Sequence, residues 1–361
     1  MRVLVAAGGS GGHVYPALAV LEELREMGRL AAAAWVGTPQ GIESRILKGY
    51  PWIEFYPLPC RGLDRERPWT WPAALTAAGT GLFRAAGILR EFRPHVVLGM
   101  GGYPSFAPVL AAALLGIPTA IHEQNAHMGL VNRLLSRLAT RVFLSFPDTA
   151  GAPTRARKVR VTGNPVRRSF LARRKPLPEA HELLVMGGSQ GSRILIEAAL
   201  RAAPALARLP DLHLRLLVGR AAAPDQVAKR LKALGISQAE VAAYTDRMEE
   251  ALARARLVVA RAGATTVAEL AAAGRPAILI PWSGAAADHQ RGNAETLARA
   301  GGCLMIPEKE LQRMDLGDLI AKLWRDGERL RRMAQAAKRA ARPDAARRVA
   351  EELLDLAKGK T

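Results

Sequence analysis

The sequence predicts an α/β protein of two Rossmann-like domains, each built on a doubly wound parallel sheet. The first observation behind this prediction is a near-repeat, since residues 3–13 read VLVAAGGSGGH and residues 183–193 read LLVMGGSQGSR. Each copy is an apolar run typical of a strand, followed by a Gly-Gly-Ser-x-Gly turn and a helical segment. The second observation is the length of 361 residues, which exceeds one ordinary core and fits two domains.

The first half of the chain alternates apolar runs with segments of helical spacing. Leu18, Leu21 and Leu24 recur at the period of a helix, which is predicted over residues 15–27. Polar or glycine-rich loops follow the apolar runs, and the carboxyl ends of parallel strands are where such sheets bind ligands. Strands are predicted at residues 3–7, 32–36, 95–98, 119–122 and 141–144, the last of which is expected to end this half.

A break in this pattern at residues 161–167, followed by Pro176 and Pro178, predicts the linker between the domains. The predicted boundaries are 1–163 for the first domain and 164–340 for the second. From about residue 318 onward the chain is predicted to be helical and is rich in arginine. In the second half, strands are predicted at residues 183–186, 215–218, 257–260 and 277–281, with a helix at 192–201.

Composition limits the class of protein. Hydrophobic residues make up 49% of the chain and charged residues 23%, which is typical of a globular protein. The two cysteines, Cys60 and Cys303, are too few for a disulfide framework and suit reduced thiols. We find no signal segment and no apolar run of membrane-spanning length, so a soluble, cytoplasmic protein is expected.

The net charge of +20 has two interpretations. An arginine-rich genome or adaptation to heat would explain it without any function, whereas attraction to an anionic partner would give it one. Aromatic residues are only 5% of the chain and do not interleave with basic runs, so nucleic acid is not an expected partner. An anionic membrane surface is the better candidate.

The two glycine turns do not fit the best-known nucleotide motifs. A Walker A loop requires a lysine that neither copy has. A dinucleotide fingerprint requires glycine where Val14 stands, and an acidic residue where the second strand ends in Gly37 and Thr38. Two interpretations remain: turns whose amides and helix N-terminus bind phosphate, or plain tight turns between strand and helix.

Two loops of the second half carry more specific chemistry. Residues 263–269 place small side chains at a helix start and Glu269 one turn further, where it suits ribose hydroxyls or simply the helix dipole. The next loop clusters hydrogen-bonding side chains of the kind that sugar hydroxyls require: Asp288, His289, Gln290 and Asn293.

These motifs occur in one order and together resemble the MurG family of peptidoglycan N-acetylglucosaminyltransferases. The segments that carry the resemblance are GGSGGH at 8–13, GGY at 101–103, HEQN at 122–125, TGNPVR at 162–167, GGSQG at 187–191, GATTVAE at 263–269, and DHQ at 288–290 with Asn293 and Ala294. The resemblance spans about residues 1–305. It implies the GT-B fold, with two Rossmann-like domains facing a cleft and a C-terminal helix, about residues 341–361, crossing back to the first domain.

The resemblance also implies an activity and a place of action. The expected reaction is the inverting transfer of GlcNAc from UDP-GlcNAc to the C4 hydroxyl of MurNAc in lipid I, which gives lipid II for peptidoglycan synthesis. Because lipid I is a membrane lipid, the enzyme is expected to be peripheral, on the cytoplasmic face of the cell membrane. The sequence has no Asp-x-Asp motif, so no metal and no other cofactor is expected.

The donor site follows from the resemblance residue by residue. Ser189 and the following amides are expected to hold the diphosphate, Arg167 to lie near the nucleotide, Glu269 to bind the ribose, and the main chain near Met248 to read the uracil. His289 stands where related enzymes often have glutamine. The full set expected to bind UDP-GlcNAc is Ser10, Gly11, Gly12, Asn125, Arg167, Ser189, Gln190, Gly191, Met248, Ala264, Thr265, Glu269, His289 and Gln290.

The acceptor diphosphate is expected in the first domain. His13 is the first candidate for the catalytic base, since its ordinary pKa suits proton removal near neutral pH, although it equally suits donation to a phosphate. Glu123 is the rival base. The residues expected to bind the acceptor are Gly9, Gly12, His13, Gly101, Gly102 and Tyr103.

A tryptophan-containing segment rimmed by arginine suits a membrane interface, although a helix facing the core would show a similar pattern. The residues expected to dock on the membrane are Trp69, Trp71, Leu75, Leu82, Phe83 and Arg84. Two other functions stay open on the sequence. One is another GT-B enzyme, either a lipid glycosyltransferase or a UDP-GlcNAc 2-epimerase, and the other is a non-catalytic nucleotide-sugar-binding subunit.

Overall fold

The computed structural model describes residues 1–60, 71–154, 157–172, 182–188, 190–285 and 288–359, and it describes only the backbone of residues 71–78. The chain divides into two compact units. The first unit is Met1–Arg167 together with Asp344–Thr361, and the second is Arg168–Pro343. Each unit has its own parallel sheet.

The first unit contains a seven-stranded sheet of order β3-β2-β1-β4-β5-β6-β7. Its strands are β1 (Arg2–Ala6), β2 (Ala32–Gly37), β3 (Ile53–Pro57), β4 (Val96–Gly99), β5 (Thr119–Glu123), β6 (Arg141–Leu144) and β7 (Val159–Val161). The helices that alternate with these strands are α1 (Gly11–Glu26), α2 (Ile42–Ile46), α3 (Trp71–Phe92), α4 (Phe106–Leu114) and α5 (Leu130–Leu135). The strand order reverses between β1 and β4, which places the carboxyl ends of these strands at the switch point of the sheet.

Strand β1 illustrates why this sequence forms a central strand. It is apolar on both faces and carries helices on both sides, as a buried parallel strand requires. Val3 and Val5 pack in one core cluster with Leu18 and other residues of α1. Leu4 faces the opposite side, in the cluster that contains Leu89 of α3.

The second unit contains a six-stranded sheet of order β10-β9-β8-β11-β12-β13. Its strands are β8 (Glu182–Met186), β9 (His213–Leu217), β10 (Ala239–Ala242), β11 (Ala255–Ala260), β12 (Ala277–Leu279) and β13 (Cys303–Met305). Its helices are α6 (Arg168–Ala172), α7 (Arg193–Leu206), α8 (Pro224–Ala233), α9 (Met248–Arg254), α10 (Ala264–Ala273), α11 (His289–Arg299), α12 (Glu308–Leu311), α13 (Leu316–Arg325) and α14 (Gly327–Ala340).

The last helix, α15 (Ala345–Ala357), belongs to the first unit. Val349 and Leu353 are fully buried in the core cluster that contains β1 and α1. Glu352 on the same helix accepts hydrogen bonds from Nε of Arg141, at 3.3 Å, and from Nε of Arg160, at 3.0 Å. These bonds join α15 to β6 and β7.

Four strands were not predicted, and all four lie at the edges of the two sheets. The prediction that residues 141–144 end the first half is wrong, because β7 follows and pairs with β6. The other three are β3, β10 and β13. Edge strands are partly exposed, and no residue of β10 or β7 is buried, so they lack the continuous apolar run that marks a central strand.

Candidate functional site

The first glycine turn (residues 8–13) joins β1 to α1 in the middle of the first sheet. Gly9 has φ +83°, a conformation that favours glycine, and Ser10 is extended before the helix begins. The first turn of α1 carries no acidic residue. The 16-residue helix therefore begins with amide groups and the positive end of its dipole at the carboxyl edge of the sheet.

His13 lies at the start of this helix, and its ring bonds back to the turn. Nδ1 lies 3.1 Å from the carbonyl oxygen of Gly8 and 3.3 Å from Oγ of Ser10. Because a carbonyl oxygen can only accept, Nδ1 carries the proton in the neutral ring. The lone pair is then on Nε2, which is the tautomer that a proton acceptor needs.

A buried carboxylate that the sequence analysis did not single out lies beneath this turn. Glu43 of α2 is 0% exposed, and its Oε1 accepts hydrogen bonds of 2.7 Å from both N and Oγ of Thr38. Its Oε2 accepts from N of Gly9 at 3.3 Å. A Cβ added at any of three surrounding glycines would come within 2.7 Å of this side chain: Gly8, Gly37 and Gly41.

The turn after β4 packs against the first glycine turn. Gly101 and Gly102 both have positive φ, at +83° and +72°. A Cβ at Gly102 would lie 3.2 Å from the carbonyl oxygen of Gly8 and 3.4 Å from the ring of His13. Tyr103 follows and is 40% exposed; burial, and then the charge of Glu43, raise the pKa of its hydroxyl. The structure thus brings these predicted acceptor residues together at one edge.

Glu123, at the end of β5, is almost fully buried and has four N–H donors. Its Oε1 accepts from N and Nδ2 of Asn125, at 3.0 and 3.1 Å, and its Oε2 accepts from N of Gly129 and Nδ2 of Asn132, both at 2.9 Å. Two donors on each oxygen hold the carboxylate in place. Through these hydrogen bonds Glu123 fixes the conformation of the loop after β5.

The neighbouring His122 is fully buried and ties this loop to residue 163. Its Nε2 lies 3.1 Å from the carbonyl oxygen of Gly163, and its Nδ1 lies 3.2 Å from Nε2 of Gln124. Burial lowers the pKa of His122 to about 4, although the bond to Gly163 and the charge of Glu123 oppose this. The ring is therefore neutral at pH 7, with its proton on Nε2.

Arg167 is the last residue of the first unit before the chain enters the second. Its guanidinium carbon lies 4.7 Å from the centre of the Tyr15 ring on α1, within the range of a cation–π contact. The hydroxyl of Tyr50 is close by. Burial, followed by the charge of Glu22, raises the pKa of Tyr50 to about 12, while Arg167 acts in the opposite direction.

The second glycine turn (residues 187–191) joins β8 to α7 in the second sheet; Ser189 lies outside the described residues. Gly191 has φ +76°, and a Cβ there would lie 1.9 Å from the carbonyl oxygen of Val218. The amide of Arg220 donates to the carbonyl of Gln190 at 3.1 Å. This turn is therefore held tightly against the loop after β9.

The loop after β11 leads into α10 through an extended Gly263. Ala264 and Thr265 begin the helix, and Glu269 is 9% exposed within it. The amide of Asn293 donates to the carbonyl of Ala262 at 3.1 Å. At the start of α11, Oε1 of Gln290 accepts from the main-chain N of Trp282 at 3.0 Å. The predicted donor residues of both loops thus lie at the carboxyl edge of the second sheet. The N-terminus of α10, whose dipole favours an anion, lies at the same edge.

Met248 and His289 both open helices in the second unit, α9 and α11. Asp288, just before His289, has φ +51°, which is unusual for a residue other than glycine. Asn293 of α11 is fully buried, while His289 and Gln290 are half-buried. The loop therefore presents His289 at the beginning of a helix of 11 residues.

The predicted membrane segment is described in part. Trp69 lies outside the described residues, as do the side chains of Trp71 and Leu75. Leu82 packs partly against the core, whereas Phe83 is 82% exposed and Arg84 is also exposed. Among the described residues, no helix combines the length and hydropathy needed to cross a bilayer.

Exposed leucines that the sequence analysis missed lie on the neighbouring helices α4 and α5. Leu130, Leu134 and Leu138 recur every four residues along α5 and the turn after it, and Arg133 and Arg137 between them are exposed. Leu114 at the end of α4 is 69% exposed. The four-residue spacing of leucines was the available signal, but it is equally typical of a helix face buried in a core.

Within the described part of the chain, no group of three or more His, Cys, Asp or Glu side chains is arranged to hold a metal ion.

Both halves of the chain match family models. Residues 3–144 match the glycosyltransferase family 28 N-terminal domain, and residues 182–349 match the glycosyltransferase family 28 C-terminal domain. Two Rossmann-like units with glycine turns at the carboxyl edges of parallel sheets are those of a GT-B glycosyltransferase. The chain belongs to glycosyltransferase family 28.

Individual relatives agree with this assignment. A protein of Nitratidesulfovibrio vulgaris (strain Hildenborough), named UDP-N-acetylglucosamine–N-acetylmuramyl-(pentapeptide) pyrophosphoryl-undecaprenol N-acetylglucosamine transferase, is 42% identical over 362 residues, covering 99% of this chain and 98% of the relative. The crystal structure of Acinetobacter baumannii MurG is similar with a TM-score of 0.74 and 32% identity, covering 98% of this chain and 99% of that one. The predicted resemblance to the MurG family is confirmed.

The fold alone is shared more widely. The structure of UDP-GlcNAc 2-epimerase from Neisseria meningitidis bound to UDP-GlcNAc has a TM-score of 0.68 to this chain, with 17% identity, and covers 98% of this chain and 100% of that one. At this identity the similarity concerns the fold and carries no activity.

Proposed function

We propose that this protein transfers GlcNAc from UDP-GlcNAc to the C4 hydroxyl of MurNAc in lipid I, with inversion, and so produces lipid II. The observation that carries this proposal is the 42% identity, over 99% of the chain, to a transferase named for this reaction. The geometry of the first glycine turn supports it, because it combines an anion-binding helix terminus with a histidine in the tautomer of a base.

His13 is the proposed catalytic base. Its Nε2 takes the proton from the C4 hydroxyl while the oxygen bonds to the anomeric carbon of GlcNAc from the face opposite UDP. The bond from that carbon to the phosphate oxygen breaks, its electron pair leaves with UDP, and the configuration inverts. Nδ1, already committed to Gly8, keeps the ring oriented throughout.

The geometry of Glu123 argues against the rival assignment. Four N–H groups donate to its two oxygens, and protonation would weaken these bonds at a buried position. We therefore assign Glu123 to positioning Asn125, whose amide bonds to it at 3.1 Å and which is the proposed contact to the donor sugar.

The donor is proposed to bind the second unit. The amide of Gln190 and the N-termini of α7 and α10 face anions favourably and would stabilise the leaving diphosphate, while the amide of Gly191 closes the turn by donating to the carbonyl of Gly188 at 2.9 Å. Glu269 would accept the ribose hydroxyls, and main chain at Met248 the uracil edge. Ala264, Thr265, His289 and Gln290 would line the diphosphate and GlcNAc. The other residues proposed to bind UDP-GlcNAc are Arg167 and Ser189, together with Ser10, Gly11 and Gly12 of the first glycine turn.

The acceptor diphosphate is proposed to bind Gly9, Gly12, Gly101 and Gly102 at the switch point of the first sheet. Amides at the positive-φ Gly101 and Gly102 and at the N-terminus of α1 are suited to phosphate, whereas Gly9 would line the site with its own N–H directed at Glu43. Tyr103 stays protonated at neutral pH, since its pKa is raised, and would donate a hydrogen bond to the acceptor. None of these roles requires a metal ion.

We propose that the protein docks peripherally on the cytoplasmic face of the membrane through α3, α4 and α5. Phe83 and the leucines of α5 are exposed beside Arg84, Arg133 and Arg137, and exposed apolar side chains flanked by arginine suit an anionic interface. The sequence also assigns Trp69, Trp71 and Leu75 to the membrane-docking segment.

The test is a transfer assay with UDP-GlcNAc and a short-chain lipid I analogue, run with and without EDTA. Stoichiometric UDP and disaccharide in both conditions are expected. UDP release without disaccharide would instead indicate an epimerase or hydrolase, and binding of UDP-GlcNAc without turnover would indicate a binding subunit. A His13→Ala variant is expected to lose at least about a hundredfold in kcat, and a variant that keeps full turnover would exclude His13 as the base.

A further inference from the structure

Glu43 and His13 contact the same peptide unit from opposite sides. The carbonyl oxygen of this unit belongs to Gly8 and accepts from Nδ1 of His13 at 3.1 Å. The N–H of the same unit belongs to Gly9 and donates to Oε2 of Glu43 at 3.3 Å. A carboxylate, a peptide group and an imidazole are therefore connected in one chain of hydrogen bonds.

We propose that Glu43 is a positioning residue for catalysis, which acts on His13 through the peptide unit between Gly8 and Gly9. The inference rests on the proposed role of His13 as the base. A negative charge accepting from the N–H polarises the peptide group and makes its carbonyl a stronger acceptor. The stronger acceptor holds the proton on Nδ1, keeps Nε2 unprotonated, and makes the ring more basic.

Three observations show that the site is built around this carboxylate. Glu43 is 0% exposed, and the N–H of Gly9, the N–H of Thr38 and the hydroxyl of Thr38 all donate to its oxygens, which suits a carboxylate. Thr38 binds the other oxygen twice and fixes the orientation of the group. A side chain at any of three positions would occupy its space: Gly8, Gly37 and Gly41.

The other polar groups around His13 differ from Glu43 in charge or in what they contact. Ser10, on the turn itself, is an uncharged partner at 3.3 Å. Tyr103, from the turn after β4, has a raised pKa, and burial, followed by Glu43, raises the pKa of Cys60 to about 11. Both groups are therefore neutral near pH 7. The guanidinium of Arg167 lies 4.7 Å from the ring of Tyr15 on the same helix, and Glu43 is hydrogen-bonded to the peptide unit that His13 contacts.

The first measurement needs no change at Glu43. In ¹⁵N-histidine-labelled protein, the ring of His13, assigned by comparison with His13→Asn, is expected to give the signature of a proton on Nδ1 with Nε2 unprotonated. The same tautomer is expected whether or not the protein transfers GlcNAc. A proton on Nε2 in the neutral ring would overturn the inference directly.

The second measurement is the pH dependence of transfer by Glu43→Gln. The amide removes the charge and places an NH₂ group against the N–H of either Gly9 or Thr38. We expect the acid limb of the kcat profile to move down by about one pH unit and kcat to fall about tenfold, with the KM for lipid I analogue changing less than about twofold. A merely structural role would raise that KM and leave the limb in place.

Thr38→Val is the matched control, since it removes one donor to Glu43 and keeps the charge. Its acid limb is expected at the wild-type position. If Glu43→Gln keeps the wild-type limb and kcat while His13→Ala loses transfer, the inference is wrong and the proposed function stands. If His13→Ala keeps transfer, the proposed base is wrong, whatever tautomer the spectrum gives. If Glu43→Gln does not fold, a proton on Nε2 of the wild-type ring would still overturn the inference.

Discussion

The guanidinium of Arg261 donates a hydrogen bond of 2.7 Å to Oε1 of Glu308, and the two side chains are 11% and 7% exposed. Arg261 also donates to the carbonyls of Ile280 and Pro281, at 3.2 and 3.4 Å. The other oxygen of Glu308 accepts from N and Oγ of Ser283, at 2.8 and 2.7 Å. One buried ion pair thus joins the loops that follow β11, β12 and β13.

Glu308→Gln is expected to lower the free energy of unfolding of the second unit by about 3 kcal/mol, because it leaves Arg261 buried without its counter-charge. Urea unfolding of the full chain measures this. Glu197→Gln is the control, since its pair with Arg230 is half exposed on both sides and, screened by water, is expected to contribute little. Equal effects of the two variants would contradict the prediction.

His122 is expected to make the first unit unstable in mild acid. Because burial lowers its folded pKa from 6.5 to about 4, the unfolded chain binds a proton that the folded one does not as the pH falls through this window. The stability is complete above pH 6.5 and declines toward pH 4, by about 3 kcal/mol for a shift of this size. His122→Gln, which cannot titrate, should show a flatter profile of urea midpoint against pH, and parallel profiles would rule the explanation out.

Gly191→Ala is expected to weaken UDP-GlcNAc binding more than about tenfold and to cost at least about 3 kcal/mol of stability, since backbone strain adds to a direct clash. The clash is with the carbonyl of Val218, 1.9 Å from the added Cβ. Gly188→Ala isolates the strain, because its φ is +80° but nothing lies within 4 Å of its Cβ. Its expected cost is about 1 kcal/mol. Calorimetry with UDP-GlcNAc and urea unfolding compare the two variants.

Leu134→Ser combined with Leu138→Ser is expected to reduce binding to vesicles containing anionic lipid at least about fivefold, because two exposed apolar side chains leave the interface. Leu234→Ser, in the second unit, is the control and also replaces an exposed leucine. Transfer to a water-soluble acceptor analogue should be unchanged in both variants. If the control reduces vesicle binding equally, the α5 surface does not dock on the membrane.

The sequence was most informative about the centre of each sheet. The strands that precede the glycine turns are apolar on both faces, so their continuous apolar runs predicted strands correctly. The loops after these strands contain the predicted site residues. The edge strands β3, β7, β10 and β13 lack that signature, since one side of each faces no further strand. Packing in three dimensions, which the local pattern does not encode, decides whether such a segment pairs.

Glu43 shows the same limit within the site. It is a single glutamate after a strand that ends in Gly37, and such a residue is usually a solvated charge at a helix start. Its role depends on Gly8, which is distant in sequence and comes close only when β1 and β2 pair. The available signal was the presence of glycines in the turns that follow β1 and β2. These glycines indicate a buried side chain only once the pairing register of the two strands is known.

The last helix makes the first unit discontinuous along the chain. During synthesis on a ribosome, the whole second unit emerges before Val349, Leu353 and Leu356 can enter the core beside α1. Until then a strip of apolar surface on the first unit has no covering, and exposed strips of this kind are where nascent proteins aggregate or engage chaperones. The order of translation therefore requires the second unit to be complete in sequence before the unit that carries His13 can finish folding.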